Sequence, residues 1–196
     1  MRAGLCGMEH ASEQEKVIAT LAHTAIVLAG HGVPATDYPS MRVGLLMMLE
    51  FAGGRVDRVG FLRKWRERLA DDVRTWPRTA DNDPYKAAVE DLGAKLSQRL
   101  GCRVMAGYNE FCTPTVAEAI DQVIADGARS VVVAPTMLVR GNSHTEMEIH
   151  EAVIQSRRRH PGVDIRYAWP FDQDLLVNLL ADQVTARLET AREATA

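Results

Sequence analysis

Short runs of branched apolar residues alternate with longer helical patterns along most of this chain, and that alternation constrains the fold more than any other feature. Four runs have the length and composition of buried strands, at residues 24–29, 102–108, 130–134 and 164–169. Helical patterns several turns long separate them. Strands that alternate with such helices form βαβ units, so the sequence predicts an α/β fold with a four-stranded parallel sheet flanked by helices.

Local signals mark the ends of one predicted helix clearly. Asp83 followed by Pro84 is typical of a helix start, and Gly101 is typical of a helix end. Further helices are predicted at residues 13–22, 114–126, 143–159 and 172–193.

The stretch from residue 39 to residue 83 breaks the alternation, because it contains no strand pattern where a βα unit needs only a short connection. It predicts two helices, at 41–51 and 56–75, separated by Gly53-Gly54. We therefore predict a single domain over residues 1–196 that carries a helical insertion at 39–83. This helical segment either packs at the edge of the sheet or covers a site as a lid.

Composition and charge exclude several classes of protein. The net charge of −3 gives no sign of a nucleic-acid-binding surface. No apolar run approaches the roughly 18 residues of a membrane span, and residues 1–10 lack the pattern of a signal peptide. The three cysteines form no CxxC pair, so a cysteine-ligated metal centre is not expected. We expect a cytoplasmic protein that binds neither nucleic acid nor a membrane.

Two histidines and a carboxylate follow the ends of predicted strands. His31 stands between two glycines after the first strand, Glu110 follows the second, and His144 follows the third. Because ligands bind at the carboxyl ends of the strands in an open parallel sheet, we expect these side chains to share a crevice. Histidines with carboxylates suit a divalent metal such as Co²⁺, Fe²⁺, Ni²⁺ or Zn²⁺. A histidine and a carboxylate also suit proton abstraction near neutral pH.

The helix predicted after the third strand contains two histidine–carboxylate pairs. His144 pairs with Glu148, and Glu146 pairs with His150, because residues four apart share a helix face. The two pairs point about 200° apart, so only one can face the crevice. We predict that His144 and Glu148 do, since His144 is nearer the strand end. Whether Glu146 takes the place of Glu148 stays open.

Taken together, these features resemble the class II tetrapyrrole chelatases, nearest to the branch of sirohydrochlorin cobaltochelatases and ferrochelatases. The resemblance is carried by Gly30-His-Gly32, by Glu110 followed by Pro114, by the run from Asp126 to Pro135, and by Gly141-Asn-Ser-His144. It covers about residues 24–34 and 83–186. It implies that Co²⁺ or Fe²⁺ is inserted as a substrate into sirohydrochlorin, without ATP and without an organic cofactor.

The resemblance also implies roles for the site residues. His31 and His144 correspond to paired metal ligands or proton acceptors, and Glu110 corresponds to a carboxylate at the second strand end. We expect Glu148 to assist them as a further metal-binding carboxylate. Short members of the family pair two copies, so a homodimer is implied, although the helical segment could instead cover the site within one chain. The family commonly has Asp-Ile-Pro where this chain reads Glu148-Ile-His150.

The substrate sets further expectations. Sirohydrochlorin carries many carboxylates, and arginine pairs bidentately with carboxylates, so Arg42 and Arg140 are predicted to bind it. Asp37 and Tyr38 lie in the loop after His31 and are predicted to line the pocket. An apolar run at 45–48 would better suit protoporphyrin, which has fewer carboxylates. The tetrapyrrole and the metal, Ni²⁺ included, therefore stay open.

Two other functions compete with a chelatase. A non-catalytic carrier of a metal or a tetrapyrrole could use the same histidines to bind without turnover. Glu110 beside both histidines favours an enzyme, because a carrier does not need a proton acceptor. A histidine phosphatase is disfavoured, because Gly30 stands where that family has the arginine of its Arg-His-Gly motif.

Overall fold

The four predicted strands form one parallel sheet in the computed structural model, which describes residues 23–193. In chain order the strands are β1 (Thr24–Gly30), β2 (Arg103–Tyr108), β3 (Ser130–Pro135) and β4 (Asp164–Tyr167). Their order across the sheet is β2-β1-β3-β4, and each neighbouring pair is parallel. The predicted α/β fold is confirmed. The helix predicted at residues 13–22 lies outside the described residues.

The central strand, β1, brings the loops of its neighbours to one edge of the sheet. All of its residues are buried, because both faces of a parallel sheet are covered and its inner strands are continuous apolar runs. Gly30 pairs with Tyr108 on β2, and Ala29 pairs with Pro135 on β3. The carboxyl ends of these three strands are therefore level with one another. We call this side of the sheet the carboxyl edge.

The helical segment 39–83 contains α1 (Ser40–Phe51), α2 (Gly54–Asp57) and α3 (Gly60–Thr75). The prediction of one helix over residues 56–75 is wrong near its start, because Val59 is extended, with φ −108° and ψ 97°. A β-branched residue followed by Gly60 favours helix weakly. The interpretation of the segment as an insertion in a single domain stays a prediction.

A separate apolar cluster holds the helical segment together. Its buried members come from the loop before α1 and from the three helices: Ala35, Tyr38, Leu46, Leu49, Val56, Leu69 and Val73. Phe111, in the loop after β2, packs against the same cluster. The helical segment is therefore fixed beside the carboxyl edge, next to the loop that carries Glu110.

Helices cover both faces of the sheet. α4 (Pro84–Leu100) packs against one face, and α5 (Val116–Ala125) and α6 (Ile149–Arg159) pack against the other. The predicted end signals of α4 are confirmed. The side chain of Asp83 accepts a hydrogen bond from a first-turn backbone N–H (2.8 Å), and Gly101 ends the helix in the left-handed conformation at φ 65°.

The helix predicted at residues 143–159 changes its hydrogen-bonding pattern along its length. It begins as one π-helical turn, His144–Glu148, and continues as α6. The backbone N–H of Ile149 donates to the carbonyl of His144, five residues earlier. Single π-helical turns are rare in proteins and are frequent at functional sites. Here the turn carries the second predicted histidine.

The C-terminal helix, α7 (Gln173–Glu193), has little burial. Leu176 is partly buried, and the other side chains at 173–190 are exposed. Within residues 23–193, no helix combines the length and the hydropathy that crossing a bilayer requires.

Candidate metal centre

The carboxyl edge brings three of the predicted side chains together. His31 follows β1, Glu110 follows β2 and His144 follows β3. Each of them offers a ligand atom, and these atoms all lie within 4.8 Å of one another. The rings of His31 and His144 meet edge to face, with centroids 4.6 Å apart. All three side chains are partly buried. Solvent access to them is therefore restricted, but a ligand can still reach them.

Gly32 permits this close arrangement. Its φ is 86°, and a Cβ atom there would lie 1.9 Å from the carbonyl oxygen of Glu110. The two loops are joined by backbone hydrogen bonds: Asn109 N–H donates to the Gly30 carbonyl (2.9 Å), and Glu110 N–H donates to the His31 carbonyl (2.8 Å). The second glycine of the Gly-His-Gly motif is therefore required by the approach of the Glu110 loop.

His31 is held with one ring nitrogen free. Its Nδ1 lies 2.6 Å from the carbonyl oxygen of Gly32. A carbonyl can only accept a hydrogen bond, so Nδ1 carries a proton and, in the neutral ring, Nε2 keeps its lone pair. The backbone N–H of His31 also donates to the Tyr85 hydroxyl (3.0 Å). These contacts orient a metal-binding or proton-accepting nitrogen.

His144 is held by two side chains. The amide nitrogen of Asn109 lies 2.9 Å from its Nδ1 and 2.5 Å from a carboxylate oxygen of Glu148. That oxygen is itself 3.1 Å from Nδ1. Nδ1 of His144 therefore lies between the Asn109 amide and the Glu148 carboxylate. When unprotonated it accepts from the amide, and when protonated it donates to the carboxylate.

Glu148 is kept ionised by its surroundings. Burial by itself raises the pKa of this carboxyl group, but the hydrogen bonds from Asn109 and His144 outweigh burial and leave the pKa below its ordinary value. Glu146 has other partners: it accepts hydrogen bonds from the Gly141 backbone (3.2 Å) and from the Trp169 indole (3.3 Å). The structure therefore brings Glu148, not Glu146, to His144.

The four predicted substrate-binding residues lie in different surroundings. Asp37 accepts hydrogen bonds from the side chains of Trp76 (3.0 Å) and Asn82 (3.2 Å). These contacts tie the loop after His31 to the end of the helical segment. Tyr38, in the same loop, and Arg42, in α1, share one partner.

Asp72 on α3 is that partner. It accepts from the hydroxyl of buried Tyr38 (2.9 Å) and forms an ion pair with Arg42 (2.8 Å). Arg140 is exposed in the loop before His144. Both arginines are therefore exposed to solvent, and Arg42 is already ion-paired.

A cavity of about 180 Å³ lies beside the cluster, on the side of Glu110 and Glu148. The helical segment contributes Glu50 and Arg74 to its wall, and the loops of the site contribute Asn109, Glu110 and Glu148. The pKa of Glu50 is raised, first by burial and then by the charge of Glu110. The helical segment therefore adds ionisable groups to the site.

Sequence reasoning missed Asn109 and Glu50. Asn109 carries a usable signal, because it is a polar residue directly before Glu110 at the end of a predicted strand. Glu50 carries none, because its position depends on how the helical segment packs against the sheet.

The fold and the site define a parallel α/β protein with a histidine–carboxylate cluster at its carboxyl edge that could hold a metal ion. Comparison with known proteins gives the family. Residues 79–188, more than half of the chain, match the family model described as CbiX. The chain belongs to the CbiX family. Glu110 and His144 lie within the matched residues, whereas His31 precedes them.

Two curated relatives illustrate the similarity. A sirohydrochlorin cobaltochelatase from Methanococcus aeolicus is 36% identical over 68 residues, which are 34% of this chain and 47% of the relative. A sirohydrochlorin ferrochelatase from Priestia megaterium is 26% identical over 78 residues, which are 39% of this chain and 29% of that protein. The chain thus spans less than half the length of these curated relatives.

One solved structure has a similar fold. It is described as a cobalamin (vitamin B12) biosynthesis CbiX protein from Marinobacter aquaeolei, and it aligns with a TM-score of 0.50 at 16% identity. The alignment covers 85% of this chain and 98% of that protein. The likeness establishes the shared fold.

Proposed function

We propose that this protein is a chelatase that inserts a divalent metal, Co²⁺ or Fe²⁺, into a tetrapyrrole, and that sirohydrochlorin is its substrate. The observation that carries this proposal is the cluster of His31, Glu110 and His144, whose ligand atoms lie within 4.8 Å of one another. Two imidazoles and a carboxylate suit these metals. The names of the two curated relatives support sirohydrochlorin as the macrocycle.

The reaction exchanges one divalent cation for two protons. The metal first binds at the histidine–carboxylate cluster, then forms bonds to the four pyrrole nitrogens as two N–H protons leave. We assign one proton to Nε2 of His31, whose lone pair becomes available when the metal leaves it, because Nδ1 already donates to Gly32. The second proton passes to Glu110 or His144, and ionised Glu148 stabilises a protonated His144 at 3.1 Å.

The proposed reaction needs only the side chains of the protein and the two substrates, the metal ion and the macrocycle. Both protons pass to groups of the protein, and the metal changes ligands without changing its oxidation state. We therefore propose an ATP-independent lyase without an organic cofactor, acting in the cytoplasm. The metal ion is a substrate and leaves in the product.

Binding of the macrocycle requires cationic groups outside the cluster. We assign this role first to Arg140, which is exposed in the loop before His144, because a guanidinium group pairs with a carboxylate. Arg42, in the helical segment, is a second residue that we assign to the substrate. A carboxylate of the macrocycle would replace Asp72 as its partner. That Asp37 and Tyr38 line the pocket stays a prediction.

A homodimer is the proposed assembly, and α7 supports it. Val177, Leu180, Val184 and Leu188 follow one another at spacings of three and four residues and form one apolar stripe along the helix. Each of these side chains is between 57% and 64% exposed. A two-fold axis would place the stripe of one copy against the same stripe of the other, and both would then be covered.

The direct test is an anaerobic absorbance assay with the purified chain. Co²⁺, Fe²⁺ or Ni²⁺ is mixed with sirohydrochlorin and, separately, with protoporphyrin, and the rate of metal insertion is compared with a protein-free control. The proposal predicts faster insertion into sirohydrochlorin with Co²⁺ or Fe²⁺. Tight binding of metal or macrocycle without acceleration would instead support the carrier.

A further inference from the structure

We propose that Arg78 is a positioning residue of the metal centre: it holds the loop that follows His31 and the loop that carries Glu110 at a fixed separation. This inference rests on the proposed function of the His31–Glu110–His144 cluster. It adds a residue from the end of the helical segment, which does not itself touch the metal.

One guanidinium group joins the two loops. The Arg78 side chain is 7% exposed. Its Nη1 donates to the carbonyl of Val33 (2.7 Å), two residues after His31. Its Nη2 donates to the carbonyl of Phe111, the residue directly after Glu110. Both loops that bring ligand atoms from β1 and β2 are therefore bonded to the same rigid, planar group.

Arg78 is itself firmly anchored. Nη2 also donates to the carbonyl of Val73, at the end of α3 (3.0 Å). Nη1 forms an ion pair of 2.6 Å with Asp83, whose side chain is 1% exposed. The other carboxylate oxygen of Asp83 caps α4. The guanidinium group thus has an opposite charge and fixed carbonyl partners in a buried place, where such contacts are strongest.

The backbone at Phe111 needs this support. Phe111 has φ 55°, and within the described residues it is the single non-glycine residue with positive φ. A residue with a side chain rarely adopts this left-handed conformation, because its Cβ atom crowds the backbone there. It persists where the surroundings determine it, and such residues concentrate at functional sites. The bond from Arg78 to the Phe111 carbonyl holds this conformation, and the conformation sets where Glu110 points.

The test compares Co²⁺ binding by the wild-type chain and by an Arg78→Lys variant. Lysine keeps a positive charge for Asp83 but cannot reach several carbonyls at once. We expect Co²⁺ affinity to fall about tenfold or more, as is typical when a group that orients metal ligands is changed. We also expect the visible d–d spectrum of bound Co²⁺ to change. A purely structural role would lower thermal stability and leave that spectrum unaltered.

Two further variants make the result decisive. Arg157→Lys is the matched control, because Arg157 Nε donates to the Ile165 carbonyl (2.7 Å) away from the cluster; its Co²⁺ spectrum should equal that of the wild type. If Arg78→Lys does not fold, the double variant Arg78→Met with Asp83→Asn removes the buried pair as a whole and leaves no unpaired charge. Asparagine caps helices as well as aspartate does. The double variant should show the same loss of affinity.

The outcomes separate this inference from the proposed function. If the wild-type chain binds no Co²⁺, the metal centre itself is wrong. If the wild-type chain binds Co²⁺ and the folded Arg78 variants bind it with the same affinity and spectrum, the positioning role of Arg78 is wrong. Weaker binding with an altered spectrum, absent in Arg157→Lys, supports it.

Discussion

At the scale of single residues, the site depends on small local constraints that fix where atoms point. A backbone carbonyl determines which nitrogen of His31 is free. The Asn109 amide and the Glu148 carboxylate hold the Nδ1 side of the His144 ring. A missing Cβ atom at Gly32 allows the loop of Glu110 to approach. None of these groups binds the metal, yet each decides the geometry of a residue that we expect to bind it.

Gly32→Ala tests the close approach of the two loops. A Cβ atom would lie 1.9 Å from the Glu110 carbonyl oxygen, so the Glu110 loop must move. We expect Co²⁺ affinity, measured by titration calorimetry, to fall by about tenfold or more. Gly127→Ala is the matched control, because Gly127 has φ 101° but no atom within 4 Å of its added Cβ. Equal Co²⁺ affinity in the two variants would contradict this explanation.

The lowered pKa of Glu148 predicts that the free energy of unfolding depends on pH. Its pKa is lower in the folded state than the ordinary value of 4.5. Folding therefore favours the ionised form, and this contribution is complete above pH 4.5 and is lost as the pH falls through the folded-state pKa. Urea unfolding of the wild type and of Glu148→Gln should show a steeper loss of stability with falling pH in the wild type. Parallel pH profiles would show that Glu148 does not make this contribution.

At the scale of helices and strands, sequence patterns predict what is determined locally. The ends of α4 follow from Asp83, Pro84 and Gly101, because each of these residues acts on its own neighbours in the chain. The three apolar runs that become β1, β2 and β3 predict which loops share the carboxyl edge. This pattern alone predicts that His31, Glu110 and His144 lie together, as they do in the structure.

Other elements depend on contacts between distant residues, and the sequence could not predict them. The π-helical turn at His144–Glu148 has the sequence of an ordinary helix start, and within it the Thr145 carbonyl accepts a hydrogen bond from the distant Tyr167 hydroxyl (2.9 Å). The break at Val59 likewise reflects how the helical segment folds back on itself. Glu50 and Arg78 reach the site only through that packing, so no local pattern identifies them.

The exposed stripe of α7 yields a prediction at the same scale. Leu180→Glu places a charge in the middle of the stripe, so the wild-type chain should be dimeric and the variant monomeric in light scattering. Ala186→Glu is the matched control, because residue 186 lies about 120° or more around the helix from every residue of the stripe and should leave the dimer intact. A monomeric wild-type chain, or dimers of unchanged stability in both variants, would contradict the proposed interface.

At the scale of the whole molecule, the sheet and the helical segment have separate apolar clusters but meet at one site. The sheet brings three ligand side chains together at its carboxyl edge. The helical segment closes one side of that site, where Glu50 and Arg74 line the adjoining cavity. This division of roles suits a reaction in which a metal and a large ligand must reach the same atoms.

We propose that the histidine cluster catalyses metal insertion. This role is tested by comparing the initial rate of Co²⁺ insertion into sirohydrochlorin between the wild-type chain and His144→Ala. His160→Ala is the control, because His160 is paired with Asp121 (2.7 Å) outside the cluster. We predict that the rate with His144→Ala falls to that of the protein-free reaction, while His160→Ala retains the wild-type rate. Full activity of a folded His144→Ala variant would contradict the account.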